Sequence, residues 1–248
     1  MLRLPLPEPR ATIVLVHGSN HGGWCWERVV PLLEAASYEV HTPTLKGLAE
    51  RADELTPEVG LPDHVDDIVG LLEGEDLESV VLVGHSAGGS VLPGVADHCE
   101  GRLKGLVYLD AFVIHDGESL MDVEPPDSRE AFLAIARDQG DGWRIPPQRQ
   151  ALERWGLNDP ADREWVWERL TDMPLKVSTD LVEAPLGAVG RLPRSFIDLT
   201  DPKNPGVVTS TERAQAEGME MREIATGHEA MVTAPAELAE LLDEIASR

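Results

Sequence analysis

The sequence predicts an α/β fold in which a mostly parallel sheet is flanked by helices, with a helical lid inserted between late strands. The first observation is that apolar, strand-sized runs alternate with segments of helical period, a pattern typical of parallel sheets covered on both faces. The second is that residues 114–192 break this alternation. With 248 residues, 42% of them hydrophobic, the chain can bury one substantial core. We therefore expect a core built from residues 1–113 and 193–248, with 114–192 as the lid.

Six segments are predicted to form strands, because each is a short apolar or β-branched run. They are residues 11–16, 39–45, 79–83, 103–109, 195–199 and 219–224. Helices are indicated where apolar residues recur at i, i+3, i+4 and i+7. Such faces lie in residues 26–33, 65–72 and 238–245, and Pro235 suits the first turn of the last of these helices.

The predicted lid holds four of the six tryptophans of the chain and no convincing strand. Its tryptophans are Trp143, Trp155, Trp165 and Trp167. The best helices in it are residues 128–137 and 160–170. A helical insertion between late strands is typical of a lid over an active site. A peripheral helical subdomain that packs its own tryptophans is the alternative.

The net charge of −24 bears on the classes of partner. Such a surface repels phosphate backbones and anionic lipid heads, so we expect neither nucleic acid nor a membrane surface as a partner. Cys25 and Cys99 are too few for a disulfide framework and lie in no metal-like spacing. Residues 1–7 lack the features of a secretory signal. We expect a cytoplasmic protein, a monomer or homodimer, with no metal and no cofactor.

A candidate nucleophile follows the apolar run at residues 80–83, where residues 84–88 read Gly-His-Ser-Ala-Gly. This spacing has a steric cause, because the serine sits on a tight strand-to-helix turn where flanking side chains would collide with the strand and helix. Ser86 is therefore the predicted nucleophile, and an ordinary glycine-rich turn is the alternative. The glycines do not form a phosphate loop, because no Lys-Ser or Lys-Thr pair follows them.

A second glycine-bearing loop follows the first strand and begins at His17 and Gly18. Such a loop can direct backbone N–H groups at a developing oxyanion, and the predicted donors are the amides of Ser19 and Ala87. A plain strand-to-helix connection is the alternative. The imidazole of His17 is expected to shape this loop, as that of His85 shapes the serine turn. We expect Gly18, His85 and Trp143 to contact the substrate.

The candidate base is one of eight histidines. His228 directly follows the last predicted strand, which is where the base stands when the chain order is serine, acid, histidine. Four others lie on predicted strand or helix surfaces without a supporting pattern, and we interpret them as solvated or packing residues: His41, His64, His98 and His115.

The residues leave two candidates for the acid that orients His228. Asp110 ends the strand at 103–109, and Asp201 follows the strand at 195–199. Both lie between Ser86 and His228 in the chain and at the carboxyl edge of the sheet. Asp198 should lie within its strand and ranks third.

Several segments together resemble a known family. They are residues 15–26 (LVHGSNHGGWCW), 30–33 (VPLL), 82–86 (LVGHS) and 227–231 (GHEAM), with Pro235. They resemble the α/β-hydrolases that include plant methyl-ester esterases and hydroxynitrile lyases, with many bacterial relatives. The resemblance covers the sheet-forming parts and only loosely the lid. It implies the α/β-hydrolase fold, Ser86 as nucleophile, His228 as base and the Ser19 and Ala87 amides as oxyanion hole.

The chain departs from this family at two places. The plant esterases carry their acid in a Thr-Glu-Asp-like turn, and here Pro202 stands where that aspartate would be. Other members take the acid from the end of the strand after the serine turn, which favours Asp110 over Asp201. The hydroxynitrile lyases that the chain resembles have a threonine in the first loop and a lysine after the catalytic histidine. Gly18 and Glu229 stand there instead, which disfavours cyanohydrin cleavage.

These features predict a serine hydrolase that cleaves a small-molecule carboxylic ester through an acyl-enzyme. A thioesterase or lactonase would need the same three residues and stays an alternative. A non-hydrolytic binding or cyclase protein on the same fold is a second one. Epoxide hydrolases and haloalkane dehalogenases are disfavoured, because their nucleophile is an aspartate and the corresponding residue here is Ser86.

Overall fold

A six-stranded parallel sheet forms the centre of the molecule. In the computed structural model, which describes residues 10–248, its strand order is β2-β1-β3-β4-β7-β8, and every neighbouring pair is parallel. The strands of the chain are β1 (Thr12–Val16), β2 (Glu39–His41), β3 (Val80–His85), β4 (Leu103–Leu109), β5 (Arg144–Ile145), β6 (Met173–Pro174), β7 (Arg194–Leu199) and β8 (Glu220–Ile224). The predicted mostly parallel sheet is confirmed.

Both faces of this sheet are buried, which explains why its central strands are continuous apolar runs. Side chains alternate between the faces of a strand, so β3 supplies two cores at once. Leu82 packs in one apolar cluster, with Ile68 of the helix before it, whereas Val81 and Val83 pack in the other, with Leu238 near the C-terminus.

Helices cover the two faces. They are α1 (Val30–Ala35), α2 (Leu61–Gly74), α3 (Leu92–Cys99), α4 (Leu120–Val123), α5 (Pro126–Gln139), α6 (Ala151–Arg154), α7 (Pro160–Trp167), α8 (Lys176–Thr179), α9 (Val208–Ala216), α10 (Ala230–Thr233) and α11 (Pro235–Ala246). Proline stands in the first turn of α1, α2, α3, α5, α7 and α11, where its missing N–H costs no helical hydrogen bond.

Two predicted boundaries in the first third are wrong. The predicted helix at residues 26–33 is divided, because a 3₁₀ turn at Gly23–Trp26 precedes α1. The strand predicted at residues 39–45 ends at His41, which pairs with Val14. Pro43 follows closely and has no N–H to donate to a ladder, so the strand cannot continue through it.

The chain between β4 and β7 carries α4 to α8 and a short antiparallel pair, β5 with β6. The sequence predicts no strand in this stretch, and that prediction is wrong. Strands of two residues are too short to show the alternation of apolar and polar residues by which a strand is recognised. The amide of Asn20 ties this stretch to the loop after β1. Its Nδ2 donates to the carbonyl oxygens of Ile145 and Thr171, each at 2.8 Å.

Within residues 10–248, no helix is both long and apolar enough to cross a bilayer. Over the same residues, no group of three or more histidine, cysteine, aspartate or glutamate side chains is arranged to hold a metal ion.

We expect truncation of Ile68 to destabilise the fold. Ile68 is fully buried on α2 against the sheet, so Ile68→Ala removes packed methyl groups and leaves a cavity. The free energy of unfolding should fall by about 2–5 kcal/mol, measured by urea denaturation. Val69→Ala is the matched control, because Val69 is only partly buried beside the same cluster. An equal loss in both variants would contradict the packing described here.

Candidate active site

The turn that carries Ser86 joins β3 to α3 through a 3₁₀ segment at Ser86–Ser90. Ser86 has a φ of 53°, a left-handed conformation that is strained for a residue with a side chain. The flanking glycines make the turn possible. A Cβ at Gly84 would lie 2.7 Å from the carbonyl oxygen of Gly88, and a Cβ at Gly88 would lie 2.7 Å from that of His17.

The loop after β1 lies directly against this turn. A Cβ at Gly18 would be only 2.8 Å from the Cβ of Ser86, so no side chain fits at position 18. Ser19 follows it and lines the same cavity as Ser86. Ser19 and Ala87 also both line a small neighbouring cavity, which brings the two predicted oxyanion donors to one place.

His17 fixes this loop from behind. Its Nδ1 donates to the Gly18 carbonyl oxygen at 2.9 Å, and its Nε2 accepts from the N–H of Leu45 at 3.1 Å. These roles require one proton on the ring. Burial lowers the pKa of His17 to about 3, so the imidazole is neutral at physiological pH.

His228 and Asp110 contact each other at the carboxyl edge of the sheet. His228 follows β8, Asp110 follows β4, and the Nδ1 of His228 lies 2.6 Å from Oδ2 of Asp110. Both side chains are buried. Asp110 has a φ of 41°, and its N–H donates to the Ile197 carbonyl oxygen at 2.8 Å, which fixes the turn to β7. Lys203 Nζ lies 3.5 Å from Oδ1 of Asp110.

The other two aspartates lie elsewhere. Asp201 is exposed on the turn after β7, where its N–H donates to the Thr226 carbonyl oxygen. Asp198 lies within β7, as predicted, and its carboxylate pairs with Lys203 and Thr211. Of the three candidates, the structure therefore brings Asp110 to His228.

His85 does not face the substrate side. Its Nε2 donates to the carbonyl oxygen of His228 at 2.9 Å, and the two ring centroids are 4.5 Å apart. Burial lowers the pKa of His85 well below its usual value, so the ring is neutral. The side chain of His85 is buried and does not line the cavity that contains Ser86, so the structure places it behind His228 and not at the predicted substrate contact.

Ser86 and His228 line one cavity. Its apolar wall consists of Phe112, Leu120, Phe132, Trp155 and Pro205. Its other lining residues are Ser19, Asn20, Glu124, Ser128, Arg154, Ser178, Asn204 and Gly206. A larger cleft, of about 230 Å³, lies between α2 and α3, and neither Ser86 nor His228 lines it. The smaller cavity is therefore the one that brings together the predicted nucleophile and the predicted base.

Trp143, the other predicted substrate contact, does not line this cavity either. Trp143 lies before β5, where its carbonyl oxygen accepts from the N–H of Leu175 at 2.8 Å, and its ring is not part of the cavity wall. Trp155 takes that place. Sequence reasoning missed Glu124 and Arg154. Glu124 directly follows one four-residue helix and Arg154 ends another, and so short a pattern gives no sign of which side faces the serine.

A buried ion pair joins the two loops of the site. His21 Nε2 lies 3.3 Å from Oε2 of Glu229, the residue directly after His228, and both side chains are almost fully buried. His21 Nδ1 donates to the carbonyl oxygen of Ser19 at 2.7 Å. The charged imidazole therefore holds the first loop to the His228 loop.

The pair is ionised despite its burial. Burial opposes the charge on His21, but the Glu229 carboxylate outweighs it and raises the pKa of His21. Burial also opposes the charge on Glu229, but His21 outweighs it and lowers the pKa of Glu229 to about 2. Each charge is stable in the interior because the other is present.

Comparison with known proteins places these features in a family. A model described as the alpha/beta hydrolase family matches residues 13–241. A carbendazim hydrolyzing esterase from Nocardioides sp. (strain SG-4G) is 36% identical over 246 residues, covering 94% of this chain and 98% of its own. Methylesterase 3 from Arabidopsis thaliana is 28% identical, covering 97% and 98%. The solved structure of an extracellular alpha/beta-hydrolase from a Paenibacillus species superposes with a TM-score of 0.84 at 24% identity, covering 94% and 98%.

We expect Glu229→Gln to destabilise the protein by about 3–5 kcal/mol at pH 7, because it leaves a buried imidazole without its counter-charge. Urea unfolding measures this, with the exposed Glu240→Gln as control.

Because folding lowers the pKa of Glu229, the contribution of Glu229 to stability is complete above pH 4.5 and is lost as pH falls towards about 2. Because folding raises the pKa of His21, its contribution is lost as pH rises through that raised value. A variant whose stability matches wild type across this range would refute the pairing.

Proposed function

The chain belongs to the alpha/beta hydrolase family, and from that membership we propose that it is a serine esterase acting on small-molecule carboxylic esters. One observation carries the proposal: Ser86 and His228 line one cavity, and His228 is held from behind by Asp110 at 2.6 Å. Support also comes from the relatives that span nearly the whole chain, which are named as esterases.

In the proposed reaction, His228 removes the hydroxyl proton of Ser86 as the serine oxygen attacks the ester carbonyl. The carbonyl oxygen gains negative charge and accepts hydrogen bonds from the amides of Ser19 and Ala87. His228 then gives its proton to the departing alcohol. Water attacks the acyl-enzyme by the same route and releases the acid, which restores Ser86.

Asp110 supports His228 through this cycle. Its carboxylate accepts a hydrogen bond from Nδ1 of His228, which leaves Nε2 free to take the serine proton. The same carboxylate stabilises the imidazolium that forms. The positive φ of Asp110 and its hydrogen bond to β7 hold the carboxylate in this position.

Residues 114–192 are proposed to be the lid over the site. Leu120, Phe132 and Trp155 come from this stretch and form much of the apolar wall beside Ser86. The bonds of Asn20 to Ile145 and Thr171 fix the stretch to the oxyanion loop. An apolar wall of this kind suits an ester with an apolar or aromatic group.

Replacing the nucleophile tests the proposal directly. Ser86→Ala should lower kcat by at least about 10⁴-fold, because it removes the hydroxyl that would form the acyl-enzyme. It should also abolish labelling by a fluorophosphonate probe, whereas Ser247→Ala, at an exposed serine, should change neither. The rates at which wild type hydrolyses p-nitrophenyl esters, methyl esters, thioesters and lactones distinguish an esterase from a thioesterase or a lactonase. Unchanged ester turnover in Ser86→Ala would refute the proposed function.

The acid is tested by two matched substitutions. Asp110→Asn should lower kcat about 10³- to 10⁴-fold, because the amide no longer favours the His228 tautomer that accepts a proton. Asp201→Asn should leave kcat within about twofold, because its side chain is exposed. Steady-state kinetics on one p-nitrophenyl ester measures both. If only Asp201→Asn loses activity, the assignment of Asp110 is wrong.

A further inference from the structure

The cavity beside Ser86 contains a buried carboxyl group for which the proposed mechanism has no use. Glu124 follows α4 and is 6% exposed. Its Oε2 has no hydrogen-bond partner among residues 10–248. A buried polar atom without a partner costs stability, so such groups in native proteins call for an explanation. Asp110 already binds His228, so Glu124 is not needed to orient the base.

The surroundings of Glu124 leave its charge poorly compensated. Burial raises the pKa of Glu124 to about 7, although a hydrogen bond from Ser128, the protonated form of His228 and the charge of Arg129 oppose this. Arg154 is the other charged residue in the cavity wall. Oε2 of Glu124 has no hydrogen-bond partner among the described residues. The carboxyl therefore lines the cavity in surroundings where burial outweighs the nearby positive charge.

Gly206 lies beside this carboxyl in the wall of the cavity. A Cβ at Gly206 would be in van der Waals contact with Glu124, 3.6 Å from Oε2 and 3.7 Å from Oε1, and would lie 3.4 Å from Oδ1 of Asn204. Glycine at this position therefore places no side chain over the carboxyl on that side. Ser86 and the aromatic residues Phe132 and Trp155 line the same cavity. A bound molecule that reaches Ser86 can therefore contact both an apolar wall and a carboxyl acceptor.

We propose that Glu124 is a substrate-recognition residue and that it selects esters whose body carries a nitrogen–hydrogen donor, such as an amide N–H or an ammonium group. This inference rests on the proposed esterase function. A carboxylate satisfies such a donor with a strong, charge-assisted hydrogen bond. A substrate of the same shape without the donor leaves the buried carboxyl unpaired, and sites built in this way reject such analogues strongly.

Three 4-nitrophenyl phenylacetates test the selection. Their para substituents are acetylamino, a neutral N–H donor; aminomethyl, a cationic donor; and isopropyl, which has no donor. The leaving group is common to all three, and the methylene insulates the carbonyl from the substituent. The wild-type kcat/KM should be at least about tenfold higher for one or both donor esters than for the isopropyl ester. The preferred donor ester shows whether the nitrogen–hydrogen donor of the natural substrate is neutral or charged.

Substitution of Glu124 should remove this preference. In Glu124→Leu, the ratio of donor to isopropyl kcat/KM should fall to about one, while the isopropyl ester is turned over at least as well as by wild type. Glu124→Gln keeps the shape and an acceptor, so it should keep part of the preference for acetylamino and lose that for aminomethyl. The control is Glu130→Gln, the same change at an exposed position on α5. The Tm of Glu124→Leu should not fall, because an unpartnered polar group is removed.

The pH dependence provides a readout that a purely structural role would not change. The measured quantity is the kcat/KM of the aminomethyl ester divided by that of the isopropyl ester. Hydrolysis of both esters requires neutral His228, so the titration of His228 does not affect this ratio. The ratio should rise as pH increases through about 7, because the carboxyl of Glu124 ionises while the ammonium stays protonated. It should be flat in Glu124→Leu.

Hydrolysis of 4-nitrophenyl acetate, measured alongside, separates the two levels of inference. If wild type hydrolyses neither the acetate nor the phenylacetates and takes no fluorophosphonate label, the esterase function itself is wrong. If the acetate is hydrolysed but the wild-type and Glu124→Leu ratios are equal, or no phenylacetate is turned over, recognition by Glu124 is overturned while the esterase function stands.

Discussion

The close approach of two backbones at the carboxyl edge of the sheet is the constraint on which the site depends. The turn after β3 and the loop after β1 touch so closely that a Cβ at Gly18 would lie 2.8 Å from the Cβ of Ser86, and a Cβ at Gly88 would lie 2.7 Å from a carbonyl oxygen of β1's loop. Parallel pairing of β1 with β3 brings the carboxyl ends of the two strands together. The glycines are therefore required by the sheet, and the position of Ser86 beside the Ser19 peptide follows from that packing.

Buried histidines connect the loops that this edge assembles, and each does so in the charge state that its environment imposes. Burial outweighs the other influences on His17 and His85 and keeps both neutral, and each donates to a backbone carbonyl oxygen. His21 differs because Glu229 lies beside it, and it can donate to the Ser19 carbonyl as a cation. A single carboxylate thus decides whether an imidazole in this interior is charged.

How much the sequence predicts depends on whether a feature is local. Ser86 and His228 were found because a glycine spacing and a position after the last strand are visible in the chain. Asp110 and Asp201 could not be separated by the same logic, since each follows a parallel strand and the distance to His228 depends on strand order. The wall residues Glu124 and Trp155 were beyond prediction, because four-residue helices have no period and their orientation is set by tertiary contacts such as those of Asn20.

Two buried glutamates show how the same side chain acquires opposite properties. Glu229 has His21 at 3.3 Å, so its pKa falls to about 2 and its charge is balanced by an ion pair within the protein. Glu124 has no such partner, and burial raises its pKa to about 7. A carboxylate that is already paired gains little from a ligand, whereas an unpaired one gains the whole of a new hydrogen bond. Since Glu124 lines the cavity of Ser86 and Glu229 does not, the unpaired group is the one that a substrate can reach.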